Sequence, residues 1–384
     1  MTDAQAHLDR RRHSNPNLLG RRELLSMAAA LGGSSFAARA IAAGATTSPP
    51  RARLNLNENP FGPSPRVAAA LSRSLAGLAR YTAQEATAAL IEQIAHYEQV
   101  PSNQVVLGDV LEPLGSQLAQ RGGAGSEFLQ SVPGFDAFAE AARAFGGKTV
   151  SAPLDQELKN DLPALRAKLS ARTRALFLVN PHNPSGTVHA AAAFKEYLRE
   201  QSLRTLVIVD EAYLEFAEDF AARSAVELTR NGLDVLVFRT LSKAYGLAAL
   251  PFGYAIAPAA RALALREAGV GAPRSMNRLT LVAAAAALAD QGFIATVRRR
   301  VARERALWFS LLDELGVRRS DSVANFVFFD TRRPHADFAA ALLAEGIDIG
   351  RAFPPLATWA RISIGLPDEN ERARRAVRKI IQAR

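Results

Sequence analysis

Short apolar runs rich in β-branched residues recur through the middle of the chain, at Gln104–Leu107, Phe128–Val132, Ala175–Val179, Leu206–Val209 and Val235–Phe238. Turn residues bound each run, and ten or more residues suited to amphipathic helix separate each run from the next. Strands that are apolar without alternation are buried on both faces, which predicts an α/β fold with a parallel sheet between helices. Several runs end in polar residues: Asn180-Pro181-His182-Asn183, Asp210-Glu211, and Thr240-Leu241-Ser242-Lys243. In an open α/β sheet such endings meet at the carboxyl edge, where ligands bind. From about residue 266 the texture changes. Alanine-rich helical stretches at Leu281–Asp290 and Ile294–Leu315 precede strand-like runs at Asn325–Phe329 and Arg361–Ile364, predicting a smaller α+β unit.

Composition narrows the classes of function. Of 384 residues, 48% are hydrophobic and 22% charged, which are globular proportions and exclude a disordered or fibrous chain. With no cysteine, disulfides, thiolate metal sites and cysteine nucleophiles are ruled out, and six histidines without paired spacing leave little room for zinc. No charge-free apolar stretch reaches the roughly 18–20 residues a membrane span needs. The net charge of +10 divides unevenly: residues 1–53 hold eight arginines against three acids, or +5, and the other 331 residues carry the remaining +5. So diffuse a charge does not track phosphates, and nucleic acid is excluded as a partner. Within the basic leader, Arg21-Arg22-Glu23-Leu24-Leu25 precedes a mildly apolar run from Met27 to Ala43, with small-x-small sites at Ala40-Ile41-Ala42 and Ala43-Gly44-Ala45. This resembles a bacterial twin-arginine signal and implies export to the periplasm; an uncleaved arginine-rich tail on a cytoplasmic protein is the other reading.

The polar strand endings carry the candidate chemistry. Lys243 lies just beyond a buried strand, where desolvation depresses an amine's pKa and makes it a nucleophile toward aldehydes. Asp210 closes Val207-Ile208-Val209, and a carboxylate buried there needs a cationic partner, such as a protonated ring nitrogen. Asn183 sits between prolines whose fixed φ holds its amide in place, ready to donate to a phenolic oxygen, as the Tyr213 hydroxyl could.

Residues from about 53 to 384 resemble the fold-type I pyridoxal-phosphate-dependent aminotransferases of class I/II, and are most similar to their histidinol-phosphate aminotransferase branch. The matching stretches are Leu56-Asn57-Glu58-Asn59-Pro60-Phe61-Gly62-Pro63, Arg80-Tyr81, Asn180–Gly186, Asp210–Phe216, Thr240–Leu247 and Arg361–Gly365, in the family's order. The resemblance implies a large domain at 71–265 with a mostly parallel seven-stranded sheet and a smaller α+β domain at 266–384. An arm at 46–70 would join the small domain, after a signal segment at 1–45. It implies pyridoxal 5′-phosphate as cofactor, Lys243 as the Schiff-base lysine and proton carrier, Asp210 on the ring nitrogen, and Asn183 and Tyr213 beside the ring oxygen. Phe135 would stack on the ring. Thr240, Ser242 and the backbone at Val110 and Leu111 would hold the phosphate, with Tyr81 reaching it from a neighbouring subunit, so that a homodimer shares its sites. Arg361 would clamp the substrate carboxylate, with Asn325 and Asn59 nearby. Small-molecule amino donors and 2-oxo acids would be the partners, in a ping-pong transfer.

Two departures concern the phosphate. The family's arginine eight residues after the lysine is Pro251 here, and its glycine-rich phosphate turn is shortened to Gly108-Asp109-Val110-Leu111-Glu112. Proline offers neither charge nor N–H, and Asp109 brings an anion toward an anion. Two alternatives therefore stay open beside transamination: an exported ligand binder of this fold with weak or no turnover, and a decarboxylase.

Overall fold

The computed structural model describes residues 51–383, so the arginine pair and the cleavage-like sites of the leader lie outside the described residues. Seven strands form the main sheet: β2 (Val105–Leu107), β3 (Glu127–Val132), β4 (Lys148–Pro153), β5 (Thr173–Val179), β6 (Leu206–Asp210), β7 (Val235–Thr240) and β8 (Gly253–Ile256). Their spatial order is β2-β8-β7-β6-β5-β3-β4. Only β8 runs against its neighbours, pairing antiparallel with both β2 and β7. Side chains along the central strands alternate between two cores. Leu176, Leu178, Val207, Val209, Val235 and Val237 enter one, while Ala175, Phe177, Leu206, Ile208, Leu236 and Phe238 enter the other. Each such Val, Leu, Ile or Phe contributes roughly 1.5–3 kcal/mol by leaving water, which is why these strands tolerate polar residues only at their ends.

Within the main sheet, the two strands that the apolar pattern does not announce are β4 and β8. β4 is an edge strand whose Lys148-Thr149-Val150-Ser151 stretch is only partly buried, and it closes on Pro153, which an edge tolerates. β8 is four residues long, and its Gly253 and Tyr254 break the aliphatic signature, although every residue is buried.

Parallel register aligns the strand ends. Val179 pairs with Asp210 and Asp210 with Phe238, so the residues after β5, β6 and β7 emerge side by side. The Asn180 N–H donates to the Asp210 carbonyl (2.8 Å) and the Glu211 N–H to the Phe238 carbonyl (2.9 Å), extending the ladder past the strands proper. Beneath this edge Arg239, 1% exposed, lies 2.9 Å from a carboxylate oxygen of Glu98, 2.9 Å from one of Glu211 and 3.5 Å from one of Glu215. The Tyr254 hydroxyl donates to Glu98 (2.6 Å).

Two small sheets bring the rest of the chain to the same edge. β1 (Ala52–Leu54) pairs in parallel with β10 (Ile347–Ile349), while β9 (Phe326–Asp330) and β11 (Trp359–Ser363) form an antiparallel pair. The segment after β1 is thereby laid along β11: the Asn57 N–H donates to Ser363 Oγ (2.8 Å), and Arg361 donates to the Asn55 carbonyl (3.0 Å). On its other side the segment meets the turn after Lys243. Gly246 there has φ +73°, and a Cβ on it would sit 2.6 Å from the Gly62 backbone, so both its conformation and the close approach require glycine. The alanine-rich helices run over Arg278–Leu288 and Gln291–Glu314, capped by the side chains of Asn277 and Asp290. Among the described residues no single helix is long and apolar enough to cross a membrane.

Candidate active site

A cavity of about 350 Å³ opens at the carboxyl edge of the sheet, between β5, β6 and β7 on one side and the loop after β10 with β11 on the other. Lys243 enters it from the turn after β7, where the Gly246 N–H bonds back to the Lys243 carbonyl (3.0 Å). Its Nζ donates to the Leu56 carbonyl (2.9 Å) and lies 5.9 Å from the centre of the Tyr213 ring. Desolvation, with the Arg361 charge second, pulls the amine down to about 8, against the pull of Glu58 and Asp210. Asp210 is 3% exposed and accepts the Ala212 N–H (3.0 Å). Burial pushes its carboxyl up to about 7, opposed by that N–H and, more weakly, by Lys243. Among the described residues no cationic side chain forms an ion pair with it, so its charge lacks the partner the sequence demands.

The opposite wall is built around one guanidinium. Arg361, on β11 and 7% exposed, donates to Asn183 Oδ1 (2.5 Å), while its Nε is buried without a partner. Its charged form is disfavoured by burial and by Arg351, and favoured by Tyr213. The Phe353 and Phe326 rings lie 5.0 and 5.5 Å from its Cζ. The Tyr213 hydroxyl accepts from the amides of Asn57 (3.2 Å) and Asn183 (3.4 Å), which leaves its own proton free to donate. Burial raises that phenol's pKa, so it stays protonated.

Of the residues expected at the site, Lys243, Asp210, Asn183, Tyr213, Thr240, Ser242, Phe135, Leu111 and Arg361 all line this cavity. Four others do not. Asn59 faces away from it: its amide donates to the Ala244 carbonyl (2.8 Å), pinning the turn after Lys243. Asn325, fully buried, donates to the Asn57 carbonyl (2.9 Å) and holds the segment beneath the cavity. Val110 is a core residue with 0% exposure. Tyr81 projects into solvent, 90% exposed. The cavity also includes residues that sequence reasoning did not assign. Asn57 is one, although it sits inside the Leu56–Pro63 stretch. Arg351 and Phe353 are others, with the guanidinium 4.6 Å from the ring centre. An arginine two residues before an aromatic, in a loop between strands, was the available signal.

The residues present fit a pyridoxal ring and its aldehyde. A buried carboxylate lacks a cation, a depressed amine faces the same space, and the Asn183 amide and the Tyr213 hydroxyl can donate to a ring oxygen. The phosphate end is furnished more thinly, by the Thr240 and Ser242 hydroxyls and the N-terminus of the helix Leu111–Gly122, with Asp109 and Glu112 on the same lining. Among the described residues no cluster of three metal-ligating side chains is present.

The sequence model of the aminotransferase class I and II family matches residues 51–380. A histidinol-phosphate aminotransferase of Limosilactobacillus fermentum is 34% identical over 318 residues, covering 82% of this chain and 86% of that protein. An aromatic amino acid aminotransferase of Thermobifida fusca is 36% identical over 322 residues, covering 83% and 88%. Among solved structures, a histidinol-phosphate aminotransferase from Sinorhizobium meliloti in complex with pyridoxal-5′-phosphate superposes with a TM-score of 0.78 at 28% identity, covering 87% of this chain and 91% of that one. The chain belongs to the aminotransferase class I and II family, and its seven-stranded, mostly parallel sheet between helices is the fold-type I architecture that the motifs imply.

Proposed function

We propose that this aminotransferase moves an amino group from an L-amino acid, or from a histidinol-phosphate-like amine, to a 2-oxo acid in two half-reactions at one site, with pyridoxal 5′-phosphate as its cofactor. The observation that carries this reading is the meeting of Lys243, Asp210 and Arg361 around one cavity. When bound, the cofactor supplies an aldehyde to take up the amino group and a ring that withdraws electrons from the adjoining bond. Asp210 would hold the ring nitrogen, whose positive charge supplies the partner this buried acid lacks. Asn183 and Tyr213 would donate to the ring oxygen, Phe135 would flank the ring, and Thr240, Ser242 and the Leu111 N–H would hold the phosphate. With its amine near 8, Lys243 has an appreciable uncharged fraction at neutral pH, so Nζ can accept a proton and give it back without large cost in either direction. Arg361 lines the cavity, holds a buried, unpartnered Nε–H, and would grip a carboxylate with its planar fork.

Beyond the clamp, Phe135, Phe353 and Arg351 line the same space. A flat ring between aromatics, with an anionic group toward Arg351, suits an imidazole or aromatic donor, in keeping with the names of the relatives. Two copies would share their sites: Tyr81, 90% exposed, would reach the cofactor phosphate of the partner copy. In a mixture of Lys243→Ala and Tyr81→Ala proteins, hybrid dimers would then carry one site with both residues intact, and its cofactor affinity would return from the weakened Tyr81→Ala value to that of the unmodified protein. The leader would carry the folded enzyme to the periplasm, which fractionation of cells expressing the full chain tests directly. The central experiment is spectroscopic. The cofactor-loaded protein should show a visible absorbance band that a suitable amino donor bleaches, and a donor panel should yield the matching 2-oxo acid. A protein with neither a band nor oxo-acid product would defeat the reading.

A further inference from the structure

The two departures at the phosphate end, distant in sequence, meet in the fold. The Gly108 N–H donates to the Gly253 carbonyl (2.8 Å) and Leu107 pairs with Tyr254, so Asp109 emerges beside the residues that lead into β8. On the other side of β8, Thr240 pairs with Gly253 and its hydroxyl donates to the Phe252 carbonyl (3.3 Å). Asp109, the Pro251-Phe252 approach to β8, and Thr240 therefore lie at one end of three neighbouring strands. Asp109, Thr240 and Ser242 line the same cavity, with Glu112 one helical turn on. At the corner where the family's pattern places an arginine, this chain has a proline and, across the strand, a carboxylate. Among the described residues the cations that line the cavity lie against other groups than Asp109: Lys243 donates to the Leu56 carbonyl, Arg361 to Asn183 and Asn55, and Arg351 to the Gly134 carbonyl beside the Phe353 ring.

We propose that Asp109 is a cofactor-selectivity residue: it offsets the attraction of the hydroxyls and the helix N-terminus for phosphate, so that the site prefers pyridoxal 5′-phosphate only weakly over unphosphorylated pyridoxal. The inference rests on the reading of this cavity as a pyridoxal site. A phosphate monoester brings a charge of roughly −1.5 to −2 at neutral pH. Placed at a corner where the described residues supply an acid and no guanidinium, that charge gains little beyond neutral hydrogen bonds. The ring and aldehyde contacts at Asp210, Tyr213 and Lys243 are common to both forms of the vitamin, and so supply most of the affinity for either.

The test is an equilibrium titration of the cofactor-stripped full chain with pyridoxal 5′-phosphate and separately with pyridoxal, read by visible absorbance and equilibrium dialysis. Lys243→Ala protein measures the background from surface lysines. Neutralising the acid in Asp109→Asn should tighten binding of the phosphorylated form on the order of ten-fold and leave pyridoxal within about two-fold, as expected for one like charge removed from a partly screened site. Pro251→Arg, which returns a cation to the same corner without touching Asp109, should shift the ratio in the same direction. Asp109→Glu, which keeps the charge, should not. If Asp109→Asn and Pro251→Arg bind both forms with the wild-type ratio, or weaken the phosphorylated form, the inference falls while the pyridoxal reading stands. If no variant binds either aldehyde above the Lys243→Ala background, both fall together.

Discussion

Replacing Arg361 with lysine tests the substrate clamp most sharply, because it keeps the charge and removes only the fork. The guanidinium is 7% exposed and spends one nitrogen on Asn183 (2.5 Å) and another on the Asn55 carbonyl (3.0 Å), with Nε–H buried and unpartnered. A lysine amine has three donors on a flexible stem and cannot hold Asn183, Asn55 and a carboxylate in one plane. One charge-assisted hydrogen bond is worth about 1.5–3 kcal/mol, so its loss lowers kcat/KM for an amino acid donor about ten- to a hundred-fold. Part of any loss comes from letting Asn183 and Asn55 relax, and that part is common to all donors. The assay therefore compares an L-amino acid with the primary amine that has the same side chain and no carboxylate, on wild type and Arg361→Lys. The amino acid should lose about ten-fold or more relative to the amine, with the visible band of the loaded enzyme unmoved. Equal losses for both donors would refute the reasoning, because Arg361 would then act only through the residues it positions.

Lys243→Ala should lower turnover by at least the roughly 10²–10⁴ that a positioned proton carrier contributes, with unchanged far-UV circular dichroism, since the side chain's bond to Leu56 is its main tie to the fold. The cofactor-free protein should lose thermal stability as pH rises from about 4 to 7. Burial raises Asp210, Glu211 and Glu215 each to about 7. Over that interval the unfolded chain has released protons that the folded state retains, so rising pH favours unfolding, and a Tm that climbs instead would contradict the assignment. Arg239→Met should cost on the order of 3–5 kcal/mol in chemical denaturation, because Glu98, Glu211 and Glu215 would be left buried around an apolar side chain. A loss below about 1 kcal/mol would contradict the pairing of Arg239 with these acids.

What the sequence discloses depends on whether a residue's surroundings are local. The strands β5, β6 and β7 are legible because burial on both faces demands continuous apolar runs, and the polar residues that end them can only belong to the edge. Lys243, Asp210, Asn183 and Tyr213 inherit their convergence from that arrangement. Asn59 and Asn325, which only the family resemblance set near the clamp, lie outside the cavity lining, because an asparagine near a site satisfies either a ligand or a stray backbone carbonyl, and only the fold decides which. Here the Ala244 and Asn57 carbonyls, left over where the segment after β1 crosses the turn and β9, take both amides. Edge strand β4 and short β8 escape the pattern because neither needs an aliphatic run. Missing β8 matters for function, since it is the strand that sets Asp109 beside the approach from Pro251. Read one at a time along the chain, a lost arginine and a gained aspartate are two separate defects in a phosphate site. Joined through Gly108 and Gly253 they form one corner, in which Pro251 offers no charge and Asp109 a carboxyl beside the hydroxyls of Thr240 and Ser242.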